Sequence, residues 1–450
     1  MPNANIYVFR PNKDLLKKKG FGSIAHVPVI FDGDWKYHRE ASRYLRERAI
    51  PTMADVENGA IRTSRRPTRS SLNTFAAQLA NFLEWCAARG KDWKKLDYDQ
   101  DITDGYEKEM ALGSFTADGC PLENSTINQR VDTACAFLIW ASKKELREPF
   151  DVPTVTRSYI QHTASSTHTR VVAHTSRVNK RRLNPKNLRI PTDEEIRAWL
   201  NSLRIRFGRT KALMAELVLH TGIRRQEAVE WQIDTLPVDR SKWQVSPISA
   251  DKVTVTIEHG TKGGKTIRGN YEVGPSRRIV VPMSLADRLW HYLEYERPRL
   301  MKTYIKSGKT KAEQEARRRN PPTELFLSDF TGAPVSAQKF YDAWVNAPSL
   351  PFEGWSPHPG RHYWACKTLL IELERMRKQA NLMSGSGMPI TWITGSATDI
   401  IQLIIQPQLG HMDKKTTDMY LGWIRDVYDI VELHNAYALE LGDLIGEERA

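Results

Sequence analysis

Apolar residues along this chain recur with a helical period in some stretches and with strand-like alternation in others, and the change of period divides it. Leu72, Phe75, Leu79, Phe82 and Cys86 return every three or four residues, one face of a helix that Gly90 is suited to stop. A second stripe, Ile127, Val131, Ala134 and Leu138, follows Ser125, whose hydroxyl suits an N-cap. With the weaker segment 92–113 these predict a compact helical domain over 66–151, preceded by an arm or appendage at 1–65 whose signals are mixed. Thr192 and Glu195 form a T-x-x-E capping box ahead of Ile196, Trp199 and Leu200, and open a second domain at 193–426. There KALMAELVLH (211–220) reads as helix, while KVTVTIE (252–258) and RRIVVP (277–282) read as strands around a Gly- and Lys-rich turn. Mostly helical sequence follows. The expected fold class is mainly α with a small antiparallel β-sheet. The tail 427–450 alternates Val427, Ile430, Val431, Leu441 and Leu444 with acidic residues and predicts a terminal helix.

From 152 to 192 there is no acidic residue, but Arg177, Lys180, Arg181, Arg182 and Lys186 are present. A one-signed stretch with little periodicity reads as an extended interdomain linker, and one that also lies along DNA phosphate. The whole chain agrees in sign. With 66 Lys and Arg against 53 Asp and Glu it carries +13, which points to a polyanionic partner, nucleic acid first. No apolar run reaches membrane-span length, and MPNANIYVFRPNKD lacks the apolar core of a secretory signal. Cys86, Cys120, Cys135 and Cys366 show no CxxC pairing, as in a protein of the reducing cytoplasm.

Four short motifs carry candidate chemistry. TGIRRQE (221–227) sets Arg224 after a Thr-Gly turn, with Glu227 one helical turn later; alone, it reads as a surface ion pair. HGTKGGK (259–265) nearly spells a P-loop, but His259 stands where the first glycine is required and a strand follows, which leaves a β-hairpin with Lys262 at its tip. HPGRH (358–362) spaces His358 and His362 for a metal on a helix, yet Pro359 lies between them and no third ligand is near. LGHMDKKTTDMY (409–420) places His411 before a short helix whose far end presents Tyr420.

In this order the motifs resemble the tyrosine recombinase (phage integrase) family, over most of 193–420. The helical segment 66–150 is similar to that family's core-binding domain but carries no specific motif. The resemblance implies that Arg224 and Arg361 hold the non-bridging oxygens of a scissile phosphate, and that Tyr420 attacks it to form a 3′-phosphotyrosine. Lys262 would protonate the leaving 5′-oxygen, His358 would assist proton transfer at Tyr420, and His411 would hydrogen-bond the phosphate. Glu227 is expected to be a structural partner of the arginines. Guanidinium groups suit a phosphorane gaining negative charge, and exchanging one phosphate ester for another conserves bond energy, so neither metal, nucleotide nor other cofactor is expected. The implied partners are double-stranded DNA, three further copies in a homotetramer on paired sites, and accessory DNA-bending proteins. Two other classes share part of the pattern: a type IB topoisomerase-like relaxing enzyme and a non-catalytic DNA-binding module. Tyr428 also follows His411, at the wrong spacing, and Lys265 is the alternative to Lys262, which as the first lysine after the strand matches the family's position. Three features depart from the family: Gly360 where leucine is common, the SGSG at 384–387 with QPQ before LGH, and the added length of 266–276. The tail is expected to pack on its own domain or to dock on a neighbouring protomer.

Overall fold

The computed structural model describes residues 5–50, 67–162, 169–183, 188–247, 250–263, 266–268, 271–384, 390–410, 419–424 and 427. Contacts divide the chain into two units, Met1–Pro185 and Lys186–Ala450, each mainly helical with small antiparallel sheets. Among the described residues no helix is long and apolar enough to cross a membrane.

In the first unit the helices Arg69–Ala88 and Asn124–Lys143 pack their two stripes together, burying Leu72, Leu79, Phe82, Cys86, Ile127, Val131, Ala134 and Leu138. Gly90, at a φ of 62°, turns the chain out of the first helix. The second begins ahead of Ser125, which donates to Glu123 and caps nothing. Residues 92–113 supply a wide-turned π-helix, Tyr98–Glu107, running into Lys108–Leu112.

Two expectations for this unit are corrected. The described part of 1–65, residues 5–50, is no irregular arm or appendage but shares the core of the unit. Strand Tyr7–Phe9 pairs with Val29–Phe31, and helix Arg39–Ala49 buries Ala41, Tyr44 and Leu45 in the same core as Leu79 and Phe137. The two three-residue strands are too short for periodicity to reveal, whereas the amphipathic period of Arg39–Ala49 was there to be read. Nor are the described residues from 154 to 177 an extended linker. Thr154–His162 and Thr169–Arg177 form a β-hairpin paired from Thr154↔Arg177 to His162↔Thr169, a pairing that suits their β-branched residues.

The hairpin ends in a buried ion cluster, so Arg177, expected on DNA, is turned inward. Its Nε donates to Asp132 at 3.0 Å, one Nη donates to Asn128 at 2.9 Å, and the other lies 2.9 Å from buried Glu107, an ion contact too skewed for a hydrogen bond. Arg181 donates to Glu107 at 2.9 Å and Lys180 to Asp132 at 2.6 Å, so these too have partners within the unit. Arg182 is exposed, and its main-chain carbonyl accepts from Asn124 at 2.9 Å. Lys186 lies outside the described residues. The acids that neutralise this stretch sit 45 to 74 residues away in sequence.

The second unit opens with the expected capping box, Thr192 and Glu195 bonding reciprocally at 2.8 and 3.2 Å. Helices Asp193–Phe207 and Arg209–Thr221 pack around a tryptophan cluster in which Trp199 lies 4.5 Å from Trp344 and 5.6 Å from Trp355, ring centre to ring centre. Lys252–Ile257 pairs with Arg277–Pro282, and a short strand, Gln244–Val245, extends the sheet to three. The longest helix, Pro357–Ser384, starts with Pro359 in its first turn, where a missing N–H costs nothing. Ala365, Cys366, Leu369 and Leu373 from it enclose a second core with Ile400, Ile401, Ile405, Leu409 and Tyr420.

Arg177→Ala should destabilise the first unit by about 3 kcal/mol, the cost of leaving a buried charge uncompensated, whereas Arg182→Ala should leave its stability unchanged. Urea unfolding of the two variants checks this, and equal midpoints would contradict it.

Candidate active site

Helix Arg209–Thr221 stops at Gly222, whose φ of 64° belongs to the left-handed region. A side chain there would also meet Leu409 and Trp364 at 2.6 Å. The turn delivers Arg224 to the start of the short helix Arg225–Val229, where Glu227 folds back to accept the Arg224 main-chain N–H at 2.7 Å and its guanidinium at 3.1 Å. Glu227 is buried, and its carboxylate also takes Arg277 Nε at 3.2 Å and a second Arg277 N–H at 2.7 Å. It is thus the structural partner expected, of two arginines and not one.

Arg361 lies at the start of the second turn of Pro357–Ser384 and is almost fully buried. Its guanidinium donates to the carbonyls of Gly222 and Leu409, while Arg224 donates to the carbonyl of Gly410 at 3.2 Å and Arg277 to that of Gln408. Gln408, in the QPQ departure, holds this carbonyl row in place. Its amide donates to Thr221 at 3.0 Å and to Val280 at 2.9 Å, and accepts from Val280 at 2.8 Å. Gly360 is explained as well, since a side chain there would strike Trp344 at 2.6 Å. Burial, with Arg224 and then Arg277 alongside, pushes the Arg361 guanidinium down to about 9 against the opposing pull of Glu227. Three guanidinium groups around one carboxylate leave a net positive pocket, one that an anion would complete.

Arg224 borders two clefts. One, of about 330 Å³, is lined by Arg224, Arg225, Tyr341, His358 and Arg361; the other, of about 350 Å³, by Arg224, Thr261, Lys262, Ser276 and Arg277. Lys262 is exposed, but it is not at a hairpin tip. It sits in the loop after Ile257, before a separate small hairpin, Thr266–Arg268 with Tyr271–Val273, that accounts for the added length of 266–276.

Tyr420 is buried among Ala365, Cys366, Leu369 and Ile424. Its hydroxyl lies 2.9 Å from His362 Nδ1, and His362 Nε2 lies 3.1 Å from His358 Nε2. His358 therefore reaches the tyrosine through His362, a residue weighed in the sequence only as a metal ligand; its spacing one helical turn after His358 was the available signal. Arg277 and Gln408 were also missed. Burial, then Cys366, holds the Tyr420 phenol above its ordinary range against the pull of Arg361. Among the described residues no group of three or more His, Cys, Asp or Glu could hold a metal ion. His411, Lys265, Tyr428 and the tail from 428 lie outside the described residues.

No family model matches this chain, and no curated protein matches it. Among solved structures it is similar to one titled crystal structure of XerA recombinase, at 13% identity and a TM-score of 0.29, over 86% of this chain and 98% of that one. A likeness so loose says nothing about chemistry, which rests on the geometry of the site.

Glu227→Ala should lower stability by about 3–5 kcal/mol, because two arginines lose their shared buried partner; an unfolding midpoint like that of wild type would show Glu227 to be dispensable. Because the folded state favours the protonated phenol of Tyr420, its contribution is full below pH 10.0, the ordinary value, and is lost as pH rises through the raised folded-state value. The stability difference between wild type and Tyr420→Phe should accordingly shrink above pH 10.0, as followed by chemical unfolding at a series of pH values.

Proposed function

We propose that this protein cuts and rejoins double-stranded DNA through Tyr420, as a site-specific recombinase of the integrase or transposase type. The observation that carries the reading is the cleft where Arg224, Arg361 and His358 meet, with Tyr420 two hydrogen bonds behind His358. A phosphodiester in that cleft meets two guanidinium forks that can neutralise the charge developing on its non-bridging oxygens. The Tyr420 oxygen forms a bond to phosphorus as the bond to the 5′-oxygen breaks, and Lys262, from the adjoining cleft, supplies the proton that the leaving oxygen takes. His411, two residues beyond Leu409, completes the proposed phosphate-binding set. Rejoining is the same path in reverse, which needs no energy source. Strand exchange between two duplexes calls for four protomers on paired sites, with DNA-bending proteins as candidate accessories.

The test is to incubate the protein with a pool of nicked, random-sequence DNA duplexes, so that the 5′-hydroxyl fragment diffuses away and covalent adducts accumulate. Wild type should form a detergent-stable adduct in EDTA without nucleotide, and Tyr420→Phe should bind DNA yet form none. An adduct with Tyr420→Phe, or a strict need for Mg²⁺ in cleavage, would sink the mechanism. Relaxation of supercoiled plasmid with no preferred cleavage site would point instead to a topoisomerase-like activity.

Of the basic residues expected on DNA, Arg182 is exposed at the surface of the first unit. Arg182→Ala should weaken binding to all sequences alike and reduce the slope of log K against log salt by about 0.9. An unchanged slope would leave Arg182 off the DNA.

A further inference from the structure

We propose that His362 is the base that takes the proton from Tyr420 and passes one on to His358, so that the buried nucleophile is activated from the phosphate cleft. This rests on the reading of Tyr420 as nucleophile. A buried phenol cannot give its proton to bulk water, so a route out must be built into the protein. The hydrogen-bonded line Tyr420 hydroxyl, His362 Nδ1, His362 Nε2, His358 Nε2 is such a route, at 2.9 and 3.1 Å. His358 then opens on the cleft that holds Arg224 and Arg361.

The tautomers follow from valence. Two Nε2 atoms in hydrogen-bond contact share one proton, so one ring donates and the other accepts. When Tyr420 donates to His362 Nδ1, neutral His362 must carry its proton on Nε2 and donate to His358. In the transfer the Tyr420 O–H bond breaks as an N–H forms at His362 Nδ1. The N–H at His362 Nε2 breaks as one forms at His358 Nε2. The products are a phenolate and a His358 imidazolium, with no change in total charge.

The charged groups around this line decide when it runs. Arg361 acts directly on Tyr420, and the same guanidinium feels Arg224, Arg277 and Glu227; Cys366 faces the ring from the second core. With the cleft empty, an imidazolium at His358 adds a cation beside Arg224 and Arg361. A phosphate between them reverses that penalty. The nucleophile is therefore activated where, and when, its substrate is bound.

The decisive variant is His362→Asn, whose amide can still hold the Tyr420 hydroxyl from the Nδ1 position but cannot relay a proton. On the nicked random-sequence duplex pool, its single-turnover cleavage should fall about 100-fold or more with DNA affinity unchanged. Added imidazole should restore part of the rate to His362→Ala. Wild-type cleavage by folded His362→Asn overturns the proposal. A second measurement needs neither cleavage nor a stable His362 variant: the His362 Nδ1 nitrogen shift should move toward that of a free ring nitrogen in Tyr420→Phe, and an unchanged shift overturns the relay. Failure of the broader reading looks different, since wild type would then give no Tyr420-dependent adduct and the relay would fall with it. A Tyr420-dependent adduct that is indifferent to His362 would remove the relay alone.

Discussion

The buried carboxylate of Glu227 is the constraint around which the second unit's arginine cluster is arranged. Guanidinium groups repel one another and lose hydration on burial, so three of them, Arg224, Arg277 and Arg361, do not converge without compensation. Glu227 answers two of them with both oxygens and also holds the main-chain N–H that starts the Arg224 helix. Arg361 is answered by the carbonyls of Gly222 and Leu409. Those carbonyls point inward because Gly222 adopts a left-handed turn and Gln408 fastens the preceding segment to Thr221 and Val280. A helix end, a strand start and the approach to Tyr420 thus share one hydrogen-bond network.

Compensation is deliberately short of neutral. One carboxylate serves three cations, and carbonyl dipoles carry no net charge to offset the third. The depressed Arg361 guanidinium records this deficit, which a phosphate would relieve. A second carboxylate would remove both the charge deficit and the affinity for anions.

Tyr420 is placed by opposite means, in an apolar core that keeps its phenol protonated. Burial protects the hydroxyl and fixes its direction, but it separates that hydroxyl from water as a proton acceptor. The His362–His358 pair lies at the boundary between that core and the cationic cleft, with one ring on each side. A polar line through an otherwise dry wall is what joins the two environments.

How much of this was legible in the sequence differs from element to element. The Leu72–Cys86 and Ile127–Leu138 stripes, the Thr192–Glu195 cap and the strand pair around Lys262 are local patterns, determined by residues a few positions apart, and the sequence by itself determined them. Arg224, Lys262, His358, Arg361 and Tyr420 could be singled out because each sits in a short motif. The partners of those residues could not. Arg177 reads as a free cation until Glu107 and Asp132 arrive from 70 and 45 residues away. Glu227 reads as the neighbour of one arginine until a strand 50 residues on brings a second, and His362 reads as half of a metal-ligand spacing that Pro359 argues against, with no other role, until Tyr420 folds against it from 58 residues further along. Charge and hydrogen bonding act through space, so only the tertiary structure decided which of these groups neutralise one another and which are left to act on a ligand.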